Sequence, residues 1–467
     1  MNRPPNILVV LADQLSASAL PAYGNRVARA PHLERLGEDG LVFERALCAS
    51  PLCVPSRASL MTGLLPSRTG AYDNAGELPA AIPTFAHRLR ALGYRTVLAG
   101  KMHFIGPDQL HGFEERPMTD VYPAGFDWIP DWELADDERL PWYHDLSSVV
   151  RAGPVRSTLQ LEYDAEVLER ALAALADQDP RPLLLVVSFT HPHDPYEVSR
   201  EHWERYDEVD APLRPDPADE PVTRRLRTMV GDLPVSAEQV LAARRGYYGA
   251  LSLVDDHLGT VLAACREGTI VVVTSDHGDM LGERGLWYKM APFEGSIRVP
   301  LIVHGLGAGR VTEPVSLLDL APTLVELAGG HVDDELDGVS LAGGNPPRRD
   351  LPIEYLAEGV RAPQVTLVRG TLKLIRSLGE PDLVYDIDAD PHEREPADPG
   401  SLADAVSARW DLERLDAEVR ASQRRRRLVA RALATGRISK WDHPAGSRRY
   451  IDTGDDFWST LERSRKA

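Results

Sequence analysis

Cys53 is the first residue whose surroundings suggest chemistry. It stands two residues before Pro55 and four before Arg57, within the run Leu52 to Gly63. Pro55 suits the first turn of a helix, where its missing N–H is not needed. Cys53 would then lie at the helix N-terminus, which favours an anion, and Arg57 could reach the same anion with its fork of donors. A lone cysteine beside a proline is by default a buried structural residue, so support must come from elsewhere in the chain.

Polar side chains also follow four apolar, branched runs that are predicted to be strands. They are Asp13; Lys101 and His103; His191; and Asp276 and His277, with Lys289 in a later loop. In an open α/β sheet the binding site lies outside the carboxyl ends of the strands, so these groups are expected at one edge. An aspartate that ends a strand is often only a cap or turn residue. The same placement after four strands favours a shared site.

The predicted cluster has the composition of a metal site with a cationic rim. Asp13, Asp276 and His277 supply hard oxygen and imidazole ligands, which suit Ca²⁺ first and Mg²⁺ or Mn²⁺ as alternatives, rather than structural zinc. The remaining members add positive charge around that metal: Arg57, Lys101, His103, His191 and Lys289. A pocket of this kind binds a tetrahedral oxyanion and stabilises its transfer.

The predicted strands and helices that would position these residues indicate an α/β fold with a large mixed, mainly parallel sheet flanked by helices. Strands are predicted at 6–12, 94–98, 182–190, 269–274 and 299–304, and helices at 31–40, 82–92, 163–176 and 237–264. Residues 105–153 are predicted to be a long aromatic-rich insertion, and residues 200–235 a polar surface excursion. A hairpin at 364–375 and a strand at 383–387 predict a small antiparallel sheet. We therefore divide the chain into a catalytic domain (1–347), an antiparallel-sheet subdomain (348–400) and a helical tail (401–467).

Composition limits the partners. The 467 residues carry a formal net charge of −19, which argues against nucleic acid or an anionic membrane as the main partner. Three cysteines make no disulfide framework and fit a reducing compartment. The first apolar run is too short for a signal-peptide core and no run reaches membrane-span length, so a cytoplasmic protein is expected. The run Arg424 to Arg427 predicts a solvated or intersubunit face, and with the charged tail it suggests a homo-oligomer, a dimer or tetramer.

The ordered motifs resemble the type I, formylglycine-dependent sulfatases of the alkaline phosphatase superfamily. The motifs are Asp-Gln after the first strand, Cys-x-Pro-Ser-Arg, Gly-Lys-x-His, Ser-Asp-His-Gly and a later lysine. Longer stretches are similar to bacterial choline-sulfatases: 67–69 with 72–74, 106–116, 188–196, 275–287 and 441–443. The resemblance covers nearly the whole chain and implies an alkaline phosphatase-like fold.

That resemblance also implies a mechanism. A formylglycine-generating enzyme would oxidise Cys53, and the hydrated aldehyde, polarised by a metal on Asp13, Cys53, Asp276 and His277, would attack sulfur and displace an alcohol. His103 would take the proton from the second hydroxyl as sulfate leaves. An alkyl alcohol is a poor leaving group, so a general acid is needed, with His191 as the first candidate and Lys289 as the second.

Choline sulfate is the substrate that the resemblance implies. A quaternary ammonium cannot donate a hydrogen bond, so aromatic faces and carboxylates must hold it. The candidates are Trp128, His144 and Glu358, with Asn74 at the sulfate; Trp128 could equally be a packing residue.

Two departures and several alternatives stay open. Gln14 stands where many sulfatases have a second aspartate, and Ser459 precedes Thr460-Leu461-Glu462, with Asp455 and Asp456 nearby, where choline-sulfatase tails have an acidic residue. The tail change could weaken choline recognition. The alternatives are a phosphonate or phosphate ester hydrolase, a broader alkyl or aryl sulfatase, and a non-catalytic protein that binds zwitterions.

Overall fold

The strand Ile7–Asp13 (β1) lies inside a seven-stranded sheet, and every one of its residues is buried. Successive side chains of a strand point to opposite faces, so Leu8 and Val10 enter one apolar core while Val9 and Leu11 enter the other. This explains the continuous apolar run, which a strand covered on both faces requires. The computed structural model describes residues 4–135, 138–212, 220–231, 233–332, 335–437, 440–442, 450–451 and 459–460.

The other described strands follow in chain order. They are β2 (Leu41–Phe43), β3 (Ala46–Leu47), β4 (Arg95–Gly100), β5 (Gly153–Val155), β6 (Leu183–Pro192), β7 (Glu197–Ser199), β8 (Ile270–Thr274), β9 (Arg298–Val299), β10 (Leu301–His304), β11 (Gly309–Val311), β12 (Val315–Ser316), β13 (Leu351–Tyr355), β14 (Gln364–Arg369), β15 (Leu372–Ser377) and β16 (Leu383–Asp386). The large sheet has the order β11-β2-β10-β8-β1-β6-β4. Its β8-β1-β6-β4 part is parallel, whereas β10 runs antiparallel to β8 and β2. The mixed, mainly parallel sheet is thus confirmed.

Helices cover both faces of this sheet. In chain order they are α1 (Pro31–Asp39), α2 (Cys53–Thr62), α3 (Pro66–Thr69), α4 (Phe85–Ala91), α5 (Ser147–Val150), α6 (Leu159–Ala176), α7 (Arg200–Trp203), α8 (Pro221–Val230), α9 (Ala237–Ala264), α10 (Glu294–Ile297), α11 (Leu320–Leu327), α12 (Leu402–Arg409) and α13 (Leu412–Leu433). Side chains of α1, α6 and α9 fill one core, and those of α2, α4 and α11 fill the other. None of the described helices is both long and apolar enough to cross a membrane.

Local signals explain where element bounds differ from the prediction. The helix predicted from residue 163 begins at Leu159, because the Thr158 side chain accepts the N–H of Leu161 as an N-cap. The excursion at 200–235 contains α7 and α8, and α8 buries Leu226 and Met229. The insertion at 105–153 has little regular structure, yet it buries large aromatics such as Trp132.

The antiparallel sheet expected near the C-terminus is confirmed as β13-β14-β15-β16. Gly370, with a φ of +60°, makes the turn between β14 and β15, a conformation that favours glycine. Lys373 of β15 is fully buried and pairs with Glu294 at 3.1 Å. This ion pair joins the small sheet to the loops that follow β8.

Candidate active site

The N-terminus of α2 presents Cys53 as the first residue of a helix whose ten residues are all buried. The Val54 N–H donates to Asn74 Oδ1 at 3.1 Å. Cys53 Sγ lies 3.2 Å from His277 Nε2 and 3.6 Å from Lys101 Nζ. The predicted helix-terminal position of the cysteine is therefore observed, with an imidazole and a lysine around its sulfur.

Four potential metal ligands converge at this helix end. Atoms of Asp13, Cys53, Asp276 and His277 lie within 4.8 Å of one another. Asp13 is the last residue of β1, and Asp276 and His277 follow the end of its parallel neighbour β8 after Ser275. Asp13 Oδ1 is buried and has no hydrogen-bond partner among the described residues. An oxygen-rich group with a free buried carboxylate oxygen fits a divalent cation.

Two buried cations pair with the carboxylates of this cluster. Lys101 pairs with Asp13, and Arg57 Nε donates to Asp276 Oδ2 at 2.8 Å. Burial alone would raise the pKa of Asp13, but Lys101 and Arg57 lower it well below its usual range. Arg57 is 1% exposed and also donates to the Lys101 carbonyl at 2.8 Å. It therefore holds the ligand carboxylates beneath Cys53 rather than facing an incoming anion.

A cavity opens above Cys53. Its lining residues are Cys53, Asn74, His103, Val121, Tyr122, Trp128, Trp142, His144, Leu159, Gln160, His193, Asp194, Pro195, Lys289 and Glu358. The cavity thus collects most of the predicted substrate-facing residues. Tyr122, Trp142 and His193 are lining residues that the sequence motifs do not single out.

His191 does not reach this cavity, and His193 does. β6 continues to Pro192 instead of ending at residue 190, so His191 stays inside the strand, where its Nδ1 bonds with Asp164 Oδ2 of α6 at 2.6 Å. His193 leaves the strand, and its Nε2 lies 2.5 Å from Lys289 Nζ. The assignment of a general acid to His191 therefore needs correction. Lys101 and Asp276 also lie just beyond the ends of their strands. The same placement, counted from the observed end of β6, would have selected His193.

His103 lies beside Cys53 in a constrained conformation. Its φ is +59°, a left-handed value that is costly for a residue with a side chain. Asp120 Oδ2 accepts the Met102 and His103 N–H groups at 2.8 and 2.7 Å, and the imidazole stacks on Tyr122 at 4.6 Å. Burial lowers the pKa of His103, against an opposing effect of Cys53. A neutral imidazole held here can accept a proton.

Gln14 holds Lys289 in place. Its Oε1 accepts from Lys289 Nζ at 2.8 Å, and its Nε2 donates to Asp279 Oδ2 at 2.7 Å. Burial, together with Lys289, lowers the pKa values of His144 and His193 well below the usual range. The amide at position 14 thus holds the Lys289 ammonium at the cavity wall.

Glu358 supplies an unusual carboxylate to the cavity lining. It is 1% exposed, and neither oxygen has a hydrogen-bond partner from another described residue. Burial raises the pKa of Glu358 to about 7, with a further contribution from Asp73. Trp128 and Trp142 line the same cavity. A free carboxylate among indole rings can balance a bound organic cation.

The C-terminal segment is only partly described. Trp441 packs edge-on against Phe126 at 5.6 Å, and Asp442 Oδ1 accepts the Ala124 N–H at 3.2 Å. Ser459 and Thr460 are helical. Five residues of the tail motifs lie outside the described residues: His443, Asp455, Asp456, Leu461 and Glu462.

Comparison with known proteins agrees with this geometry. Residues 5–330 match the family described as Sulfatase, and residues 417–464 match the family described as Choline sulfatase enzyme C terminal. A choline-sulfatase of Rhizobium meliloti (strain 1021) is 42% identical, with 99% of this chain and 98% of that protein covered. An uncharacterized sulfatase, YidJ, of Escherichia coli (strain K12) is 30% identical over 83% of this chain and 82% of its own length.

Solved structures share the fold. A phosphonate monoester hydrolase from Silicibacter pomeroyi superposes with a TM-score of 0.70 at 23% identity, covering 93% of this chain and 98% of its own. A phosphonate monoester hydrolase of Agrobacterium radiobacter gives a TM-score of 0.67 at 23% identity, covering 92% and 95%. The alkaline phosphatase-like architecture expected from the motifs is confirmed.

Proposed function

The chain belongs to the sulfatase family, and on that premise we propose that it hydrolyses choline sulfate to choline and sulfate. The observation that carries the substrate choice is Glu358, a buried carboxylate in the same cavity as Cys53 with no hydrogen-bond partner from another described residue. A sulfate ester without a cation leaves that carboxylate uncompensated, at a cost of about 1–3 kcal/mol or more. The choline-sulfatase relative at 42% identity supports the same substrate.

Residues of the chain divide the chemical work. Once Cys53 is formylglycine and a divalent cation is bound, these groups supply an aldehyde-hydrate nucleophile and a Lewis acid at the helix end. Asp13, Asp276 and His277 would hold the cation together with the modified side chain. Lys101, Lys289 and Asn74 bind the sulfate oxygens, and His103 accepts a proton at its imidazole.

The departing alcohol receives its proton from the pair formed by His193 and Lys289. Their nitrogens are 2.5 Å apart, and both line the cavity. A proton shared by this pair can be given to an alkoxide leaving oxygen, which an alkyl sulfate requires. His193 thus takes the role that the sequence assigned to His191, and Lys289 keeps its place as partner.

Substituting each of the two histidines, His193 and His191, in a separate variant tests this assignment. His193→Asn is expected to lower kcat for choline sulfate by about 100-fold, but by much less for 4-nitrophenyl sulfate, whose leaving group needs no acid. His191→Asn is the matched control, because it breaks the bond to Asp164. It should lower the melting temperature and affect both substrates alike. A leaving-group dependence in the His191 variant instead would return the acid role to that residue.

The function itself is tested with four esters. We expect turnover of choline sulfate to exceed that of 4-nitrophenyl sulfate, phosphocholine and 4-nitrophenyl phosphate, measured side by side with Ca²⁺, Mg²⁺ or Mn²⁺. Preference for the phosphate esters would support a phosphate or phosphonate ester hydrolase. Preference for the aryl sulfate would support a broader sulfatase, and turnover of none would support a zwitterion-binding protein.

Choline binding should depend on pH through Glu358. The pKa of its carboxyl is raised to about 7 by burial and by Asp73, against the effect of Lys289. The carboxylate that attracts the cation therefore forms as pH rises through this value. Between roughly pH 6 and pH 8 the Kd for choline should fall about tenfold. Calorimetry measures it, and a profile that is equally steep in Glu358→Gln would contradict the assignment.

The remaining features are part of the same proposal. The metal is Ca²⁺, and a formylglycine-generating enzyme matures Cys53. Cys48, Cys53 and Cys265 are free thiols, which supports a reducing, cytoplasmic compartment. The protein is a homo-oligomer, and the chain divides at residues 347 and 400 into the three parts predicted from sequence.

A further inference from the structure

Arg426 of helix α13 forms an ion pair with the fully buried carboxylate of Asp73. Its terminal nitrogens donate to the two oxygens of Asp73, each at 2.6 Å. The Asp73 side chain is 0% exposed and that of Arg426 is 12% exposed. A bidentate pair of this kind fixes orientation as well as distance. The expectation of a solvated or intersubunit face for the arginine run is therefore wrong for Arg426.

Asp73 in turn shapes the loop beneath the cavity. Its Oδ1 accepts the Ala75 N–H at 3.0 Å, and its carbonyl accepts the Gly76 N–H at 2.8 Å. Asn74, inside this turn, lines the cavity and accepts the N–H of Val54 at 3.1 Å. Arg426 is thus connected through Asp73 and Asn74 to the helix end that carries Cys53.

The same helix also contacts the loops next to Glu358. Arg420 donates to the Trp132 carbonyl at 2.9 Å and to the Arg361 carbonyl at 2.6 Å. The Trp132 indole N–H donates to the Ala357 carbonyl at 2.9 Å. Ala357 immediately precedes Glu358, so Arg420 joins the two loops that support Trp128 and Glu358.

We propose that α13 positions the two ends of the cavity through two different arginines. Arg426 serves the sulfate end by orienting and neutralising Asp73, because an unpaired carboxylate beside Asn74 would repel an anionic ester. Arg420 serves the cation end by fixing the loops around Glu358. Neither arginine lines the cavity, so both are positioning residues. The proposal rests on the sulfatase function argued above.

The sulfate arm of the test uses Arg426→Gln, with Arg425→Gln as the matched control. Arg425 is exposed on the same helix. Arg426→Gln should lower kcat/KM for choline sulfate and 4-nitrophenyl sulfate alike, by roughly 10- to 100-fold. It should also weaken inhibition by inorganic sulfate by a larger factor than it changes choline affinity, both measured by calorimetry. The double change Asp73→Asn with Arg426→Gln should restore part of the sulfate affinity, because it removes the unpaired charge.

The cation arm reverses this pattern. Arg420→Met should weaken choline binding by about tenfold and reduce kcat/KM more for choline sulfate than for the aryl sulfate. If Arg426→Gln does not fold, Arg426→Lys keeps the charge without the fork and should show an intermediate loss of sulfate affinity.

Three results would overturn the proposal. They are a lowered melting temperature in Arg426→Gln with unchanged sulfate affinity, an equal loss in Arg425→Gln, or the same substrate pattern in the Arg420 and Arg426 variants. Failure of the wild-type protein to hydrolyse any sulfate ester would reject the proposed function instead. Calorimetric titration with inorganic sulfate and choline would still decide the positioning roles.

Discussion

Replacing Cys53 with alanine eliminates sulfate-ester hydrolysis, with an expected loss of at least about 10⁴-fold in kcat. Cys53 is the first residue of α2, and its Sγ lies 3.2 Å from His277 Nε2, within the group of potential metal ligands. Steady-state assays with choline sulfate measure the loss. Intact-mass analysis of the wild-type peptide should show a decrease of about 18 Da on maturation.

Cys265→Ala provides the control for the cysteine variant. Cys265 is half-buried at the end of α9, far from the cavity lining, and its thiol donates to the Val261 carbonyl. We expect this variant to retain full activity. An unchanged peptide mass after coexpression with a maturation enzyme, together with undiminished turnover by Cys53→Ala, would reject the formylglycine mechanism.

Glu358→Gln produces the second large effect, and it is selective. Removing one partner of a buried charge pair costs about 2–5 kcal/mol, so KM for choline sulfate should rise roughly 30- to 5,000-fold. Glutamine preserves the size of the side chain but supplies no negative charge. KM for 4-nitrophenyl sulfate, which has no ammonium group, should change by less than about threefold.

Two substrates make the Glu358 result interpretable. Loss on choline sulfate alone assigns the carboxylate to the cation. Equal increases in KM for both esters would mean that Glu358 supports the cavity in general, and the choice of choline sulfate would lose its main support. Choline titration by calorimetry gives the same answer without turnover.

Sequence predicted the metal cluster well because strand order and burial constrain it. Asp13, Asp276 and His277 lie at the carboxyl ends of β1 and β8. These strands are parallel neighbours in the sheet, so the three side chains come together. The sequence analysis missed His193 because it predicted the end of β6 two residues too early. With that error, His191 was taken for the loop residue that His193 is, and strand ends are the least certain part of a prediction.

Local sequence patterns could not predict contacts between segments that are far apart in the chain. Asp73 and Arg426 are 353 positions apart, and no periodicity links a turn to a helix so far along the chain. Glu358 follows β13 in an irregular loop, and only the family resemblance pointed to it. Tyr122 and Trp142 lie in an insertion with little regular structure, where no repeating pattern identifies a cavity wall.

The complete burial of α2 bears on when Cys53 could be oxidised. Cys53 is 2% exposed at the start of a helix whose residues are all buried, so in the folded protein this segment is not accessible to another enzyme. If Cys53 is oxidised as proposed, we therefore expect the oxidation to precede folding, while the chain is still extended. Purified thiol-form protein should remain unmodified when it meets that enzyme later, unless it is first unfolded.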